Sequence, residues 1–296
     1  TAATANYTTT DRRTEMPTIS RRQFLYGSAM GIAAAAMQLE ANPLGMPIGC
    51  QTYPLRESIG KDFEGTLRQI VAGGYRMIEM CSPRGYAKAG FGPLVKMKAA
   101  EIRRMIHGAG LGCESCHVQF RELKESLDDT VAYAQELGLK QMIVPTFGLR
   151  PDATMADWAQ AADELNKLGE QTHKAGIQLG FHNHNHEFKE IDGVLIYDEL
   201  MKKLDPKLVK MQFQVAVISL GYEAATYLTK YPGHFISLHL VDWSTAEKKT
   251  VPIGKGSIDW KKLFAAAKTG GIKNYFVEMD WDLMQASVPY LHKLKV

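Results

Sequence analysis

Residues 180–188 read GFHNHNHEF, in which His182, His184 and His186 alternate with Asn183 and Asn185 and Glu187 follows. Alternate residues of an extended segment share a side, so these imidazoles can face one point. Elsewhere, short apolar stretches also carry polar groups at or near their ends. Glu79 stands in YRMIEMC, His117 in LGCESCHV, Gln212 and Gln214 in VKMQFQV, His239 and then Asp242 in FISLHLVD, and Glu278 and Asp280 in NYFVEMD. Five of the nine histidines occupy such positions. Neutral imidazole and ionised carboxylate suit divalent Mn, Zn, Co or Fe, with Mg an oxygen-preferring alternative. The same side chains are the usual carriers of protons in acid–base catalysis. The pattern reads as one divalent metal with proton-transfer groups beside it.

Eight segments must position these groups: Pro47–Tyr53, Tyr75–Cys81, Leu111–Val118, Lys140–Thr146, Ile177–His182, Val209–Val215, Phe235–Val241 and Asn274–Asp280. Each has the length of a strand and is apolar without alternation, as parallel strands covered on both faces are. Between them, 62–72, 94–110, 123–137 and 156–174 carry apolar residues at helical spacing. Several helices stop at glycine and pass straight to a strand, as in AGGY at 72–75, ELGLK at 136–140 and TGGI at 269–272. Eight strand–helix units predict an α/β fold, the (β/α)8 TIM barrel, in a single domain over 42–296. An open doubly wound sheet would need a glycine-rich phosphate loop after the first strand, and CQTYPLRESIGKDF is not one. Barrels of this kind build their sites at the carboxyl ends of the strands, where the groups above lie.

Lys plus Arg number 35 against 32 Asp plus Glu, a balance of +3 that gives no electrostatic footprint for nucleic acid. Four cysteines are too few for a disulfide framework in a chain of 296 residues. Cys113 and Cys116 form C-E-S-C, but residues three apart on a strand face opposite sides, so Cys50, Cys81, Cys113 and Cys116 read as buried free thiols. Residues 1–41 read as a leader: Arg21 and Arg22, then Phe24 and Leu25, then a run rich in Ala and Gly through Met37, with Ala33 to Ala36 or Ala41 as cleavage positions. Ser20 to Leu25 resembles the twin-arginine (Tat) signal at every fixed position. The apolar run is shorter than the roughly 20 residues of a stable membrane span. The expectation is export through the Tat machinery to the periplasm or beyond.

GFHNHNHEF at 180–188, HFISLHLVDW at 234–243, VPIGKGSIDW at 251–260 and YFVEMD at 275–280 together resemble the sugar isomerase/epimerase family with a xylose isomerase-like TIM barrel. The resemblance runs over about residues 45–296, and that family also holds hydroxypyruvate isomerases, ketose 3-epimerases and inosose dehydratases. It implies one divalent metal on four residues at the ends of strands five to eight, here His182, Gln214, His239 and Glu278. Gln214 stands where the family usually has Asp, and an amide oxygen is the weaker ligand. Val241 replaces the lysine of the family's His-Leu-Lys-Asp run, and Lys255 replaces the glutamate of Gly-Glu-Gly. His184 and His186 are further candidate ligands.

The resemblance further implies movement of a proton on a carbon next to a carbonyl, through an enediolate. Glu278 is the expected base, with His184 or Glu79 as its partner. His117, His186, Asp242 and Trp243 are expected on the substrate, a small carbohydrate, and Tyr53, Phe147 and Trp281 are further aromatics that could stack on it. The leading expectation is a metal-dependent isomerase or epimerase of a keto or aldo sugar. The alternatives are a lyase or dehydratase acting on a keto-sugar or 3-keto-glycoside, and a sugar-binding barrel without turnover. A nuclease, although the family's relatives include apurinic-site endonucleases, is disfavoured because no cationic groove is evident.

Overall fold

All eight apolar segments pair as parallel strands that close on themselves in the computed structural model, which describes residues 42–296. The strands are β1 (Gly49–Gln51), β2 (Met77–Cys81), β3 (Gly112–His117), β4 (Gln141–Val144), β5 (Gln178–His182), β6 (Val209–Gln214), β7 (Phe235–Leu240) and β8 (Asn274–Val277). All eight begin or end inside the expected segments, because ladder pairing stops where the chain peels into its loops. Closure is made by β1 against β8, with Gly49 beside Phe276 and Cys50 beside Val277. The leader expected over 1–41 lies outside the described residues.

The outer layer comprises α1 (Arg56–Lys61), α2 (Phe63–Ala72), α3 (Ala99–Gly108), α4 (Phe120–Leu137), α5 (Met155–Lys174), α6 (Ile196–Lys203), α7 (Ala224–Lys230), α8 (Trp260–Gly270) and α9 (Trp281–Lys293). The helix expected over 94–110 is shorter, its first part being a 3-10 turn at Gly92–Lys96 with Pro93 inside it. Helices α4 and α8 end at Gly138 (φ 88°) and Gly271 (φ 78°), left-handed residues whose N–H groups return to the last turn. Helix α5 starts at a capping box in which Thr154 and Asp157 satisfy each other's backbone N–H. Two short antiparallel ribbons, Glu190–Ile191 with Val194–Leu195 and Asp242–Ser244 with Lys249–Val251, decorate the loops and carry no apolar signal long enough to announce them.

Strand register places a layer of polar side chains across the barrel. Gln51 pairs with Glu79 and Glu79 with Ser115. On the other wall Gln212 pairs with Ser237 and Gln214 with His239. A bulge after Ile78 and another after Met211 set these registers. The four cysteines are all free and buried, as expected from their strand positions.

Closure also explains Gly49. A Cβ there would lie 2.6 Å from Phe276 Cδ1 and 2.6 Å from the carbonyl oxygen of Tyr275, and the carbonyl cannot yield without breaking the β8 ladder. Gly49→Ala is expected to destabilise by about 1–3 kcal/mol, the usual cost of overpacking. The check is a lower denaturant midpoint at unchanged m-value.

Candidate active site

Glu79 is fully buried on β2. Its Oε2 accepts from Gln51 Nε2 at 2.6 Å and lies 2.5 Å from His239 Nε2 and 3.1 Å from His117 Nε2. Its Oε1 accepts from Ser115 Oγ at 2.5 Å and from Gln212 Nε2 at 2.8 Å. Burial alone would raise its pKa, but His117 and His239 hold it well below the ordinary carboxylate value. Glu79 was expected to share in proton transfer at the mouth. Instead both oxygens are consumed inside the barrel, and His117, expected on substrate, is engaged by Glu79 and by Gln212 Oε1 at 2.8 Å.

His239 connects this interior to the rim. Its Nδ1 lies 2.8 Å from Glu278 Oε2, so one imidazole bridges two carboxylates. Burial pushes its pKa down, yet Glu278 and Glu79 outweigh that and raise it to about 10. Burial pushes Glu278 up, and the His239 imidazolium more than reverses the effect. Gln214 Nε2 donates to the same Glu278 Oε2 at 2.7 Å, while its own Oε1 accepts from the backbone N–H of Ala216. As placed, Gln214 therefore presents a donor where the expected ligand set needs an acceptor. Both bonds fall on Oε2, which leaves Glu278 Oε1 without a hydrogen bond among the described residues. The Glu278 side chain is 21% exposed and lines a cavity of about 370 Å³ with Tyr53, Arg56, Val241 and Asp280.

Three of the imidazoles form a cluster that could hold a metal ion: ligand atoms of His117, His182 and His239 lie within 4.8 Å of one another. The rings of His182 and His239 are 4.5 Å apart between centroids. Burial, with His239, His184 and His117 around it, keeps the His182 pKa well below the ordinary value, so the ring is neutral. Its buried Nδ1 has no hydrogen-bond partner among the described residues. The charges agree with a cation: Glu79 and Glu278 bring two negative charges, which a divalent ion would cancel once His239 gives up its extra proton to bind it. The donor set fits such an ion.

A second group forms at the exposed end of β5. Ligand atoms of His184, His186 and Glu187 also lie within 4.8 Å of one another. Buried Glu187 accepts the backbone N–H of His184 through Oε2 at 2.7 Å. Its Oε1 is 2.8 Å from His186 Nε2 but off the axis of a hydrogen bond. His184 is exposed by area, yet its ring packs edge-on against His182 at 4.7 Å and its pKa is lowered, chiefly by loss of hydration. His186 lines a separate cavity of about 450 Å³ with Trp158, Arg150 and Lys189.

Asp242, expected on substrate, is not available for it. Its Oδ2 accepts from the N–H groups of Gly254 and Gly256 and from Trp260 Nε1, and its Oδ1 from the N–H of Trp243. It holds the 251–260 loop closed. Trp243 is half-buried on the ribbon that Asp242 begins. Phe147 stacks on Phe181 at 4.4 Å and Trp281 packs near Tyr75, both as part of the core or its edge, whereas Tyr53 stands 38% exposed at the Glu278 cavity. Gln51, Ser115 and Ser237 were not foreseen as site residues. Their signal was available only as polar residues inside otherwise apolar strands.

The family described as xylose isomerase-like TIM barrel matches residues 67–289. An inosose dehydratase of Geobacillus thermodenitrificans (strain NG80-2) is 29% identical over 175 residues, 52% of this chain and 57% of that protein, so the match spans little more than half of the relative's length. A sugar phosphate isomerase/epimerase of Parabacteroides distasonis ATCC 8503 superposes with a TM-score of 0.69 at 25% identity, covering 83% of this chain and 93% of that one. An IolI protein solved with a bound zinc atom shares the fold at a TM-score of 0.59 and 14% identity, covering 84% of this chain and 94% of that one.

The bridging imidazolium links stability to pH. A pKa raised from 6.5 to about 10 contributes stability fully below pH 6.5 and loses it as pH climbs through 10. Glu79, held below its ordinary 4.5, contributes above that value and loses its share as pH falls. In chelator-treated protein, the melting temperature is expected to fall from pH 7 to 10. Thermal scans of His239→Gln should show a flatter profile over that range and a lower plateau at pH 7.

Proposed function

This chain belongs to the xylose isomerase-like TIM barrel family, and on that premise we propose that it is a lyase of the dehydratase type, eliminating water or another β-substituent from a keto-sugar or 3-keto-glycoside through an enolate. The observation that carries this reading is that Glu278, whose Oε1 is free of hydrogen bonds among the described residues, has an imidazole, His182, at the strand-five position where an epimerase needs a second carboxylate. An epimerase of this family takes a proton from one face of a carbon and returns one to the other with two carboxylates. Here the strand-five position is His182, neutral and buried. The similarity to inosose dehydratases supports the same choice.

Glu278 takes the proton next to the ketone through Oε1, while the bonds from His239 and Gln214 fix Oε2 and so aim the other oxygen at the cavity. The proton taken by Glu278 leaves with the departing hydroxyl as water, and His184, just beyond the end of β5, is placed to relay it. Tyr53 and Arg56, with the guanidinium 4.5 Å from the ring centroid, form one wall of the cavity in which a sugar ring would lie. A divalent ion, when bound, would be held by the clustered imidazoles of His117, His182 and His239, with Glu278 beside His239, and would supply positive charge against a ketone oxygen as its neighbouring carbon loses a proton. Which of Zn, Mn, Co, Fe or Mg serves is left to metal analysis of protein purified without chelator. The export reading of residues 1–41 is also a proposal. Fractionation of cells carrying Arg21→Lys with Arg22→Lys tests it, with loss of export expected.

Isomerisation or epimerisation of an intact sugar is the second reading, favoured by the similarity to the Parabacteroides protein over most of the chain. Incubation of keto-sugars and 3-keto-glycosides in D2O separates the two. Release of water or a free leaving group is expected, with a kcat lowered about 10²–10⁴-fold in Glu278→Gln. Recovery of an intact sugar inverted at one carbon would overturn the lyase. Stabilisation by sugars without any turnover would overturn both enzymatic readings.

A further inference from the structure

We propose that Glu79 is a positioning residue: it retains the Nε2 proton of His239 and thereby reserves Nδ1, the nitrogen beside Glu278, for the chemistry at the mouth. The orientation of Gln51 beside Glu79 follows from one unambiguous donor. The backbone N–H of Tyr53 donates to Gln51 Oε1 at 3.1 Å, and the hydroxyl of Thr52 reaches the same oxygen. The amide group of Gln51 is thereby fixed with its NH2 toward Glu79 Oε2 at 2.6 Å. Gln212 presents its NH2 to Glu79 Oε1 and Ser237 Oγ, and its carbonyl oxygen lies 2.8 Å from His117 Nε2. Ser115 Oγ fills the remaining side of Oε1.

Glu79 is thus an acceptor for amide, hydroxyl and imidazole donors, and none of the groups around it needs a proton from it. His239 Nε2, 2.5 Å away, must then be a donor. Only Nδ1 is left to give up a proton, to accept one or to ligate a cation. The arrangement is that of a carboxylate behind a ligating histidine, which fixes ring orientation and tautomer. Glu79 does this from complete burial, beneath the rim, without touching substrate.

The inference rests on the proposed site only for its consequence, since the proton on Nε2 can be observed with no substrate present. The experiment is 1H–15N spectroscopy of His239 in protein carrying 15N-histidine, first chelator-treated at pH 7 and then titrated with Zn²⁺ alone. A slowly exchanging Hε2 resonance is expected, persisting when zinc binds, while the Hδ1 signal is the one removed. In Glu79→Gln, Hε2 should exchange fast or vanish and zinc affinity should fall about 10- to 100-fold, with partial recovery in Glu79→Asp. Loss of Hε2 on zinc binding while Hδ1 remains would overturn the proposal. So would an unaltered Hε2 signal or unaltered zinc affinity in Glu79→Gln. Should Glu79→Gln not fold, the exchange protection of wild-type Hε2 relative to Hδ1 decides alone, equal or reversed protection counting against the proposal. An inert protein with protected Hε2 would remove the lyase reading and leave this one, and an active lyase with the opposite pattern would do the reverse.

Discussion

A carboxylate with no exposure to water governs the interior of this barrel. An ionised group so placed is tolerable only if its lost hydration is replaced by charge and hydrogen bonds. Glu79 obtains them from four other strands at once: Gln51 on β1, Ser115 and His117 on β3, Gln212 on β6 and His239 on β7. A slip of one residue in any of these strands would turn its donor out of the lumen. Such a slip would leave Glu79 with an unsatisfied oxygen. The polar layer therefore fixes register as much as it builds a site, and the two bulges beside Glu79 and Gln212 belong to the same solution.

The outward sequel is a graded series. Glu79 is sealed, His239 is buried but reaches both levels, and Glu278 has one oxygen held and one free. Gln214 suits this series better than an aspartate would if no further cation were present, because its amide donates to Glu278 rather than repelling it. With a divalent ion the preference reverses, since an oxygen ligand is then required. The same residue thus weighs against tight metal binding while His182, with its unpartnered Nδ1, weighs for it.

The barrel was legible because the strands are largely apolar and several helices end at glycine. The rim was legible because the fold class says which end of a strand matters. Height within the lumen was not. Glu79 and Glu278 look alike in sequence, each near the end of an apolar strand, yet one lies beneath the histidines and the other beside the cavity. Their difference comes from the stagger of neighbouring strands and from the bulge after Ile78, which no one-dimensional pattern records. Asp242 misled for another reason. A carboxylate after a strand can serve a ligand or a loop, and the N–H groups of Gly254 and Gly256 take it for the loop.

The free thiols have a consequence of their own. Cys50, Cys81, Cys113 and Cys116 sit within the first three staves of the cylinder, none more than 5% exposed, and burial raises the pKa of each. An alkylating or oxidising reagent meets a thiolate only when those staves part. Chemical labelling of these sulfurs is consequently a clock for the opening of the first three strands of the cylinder.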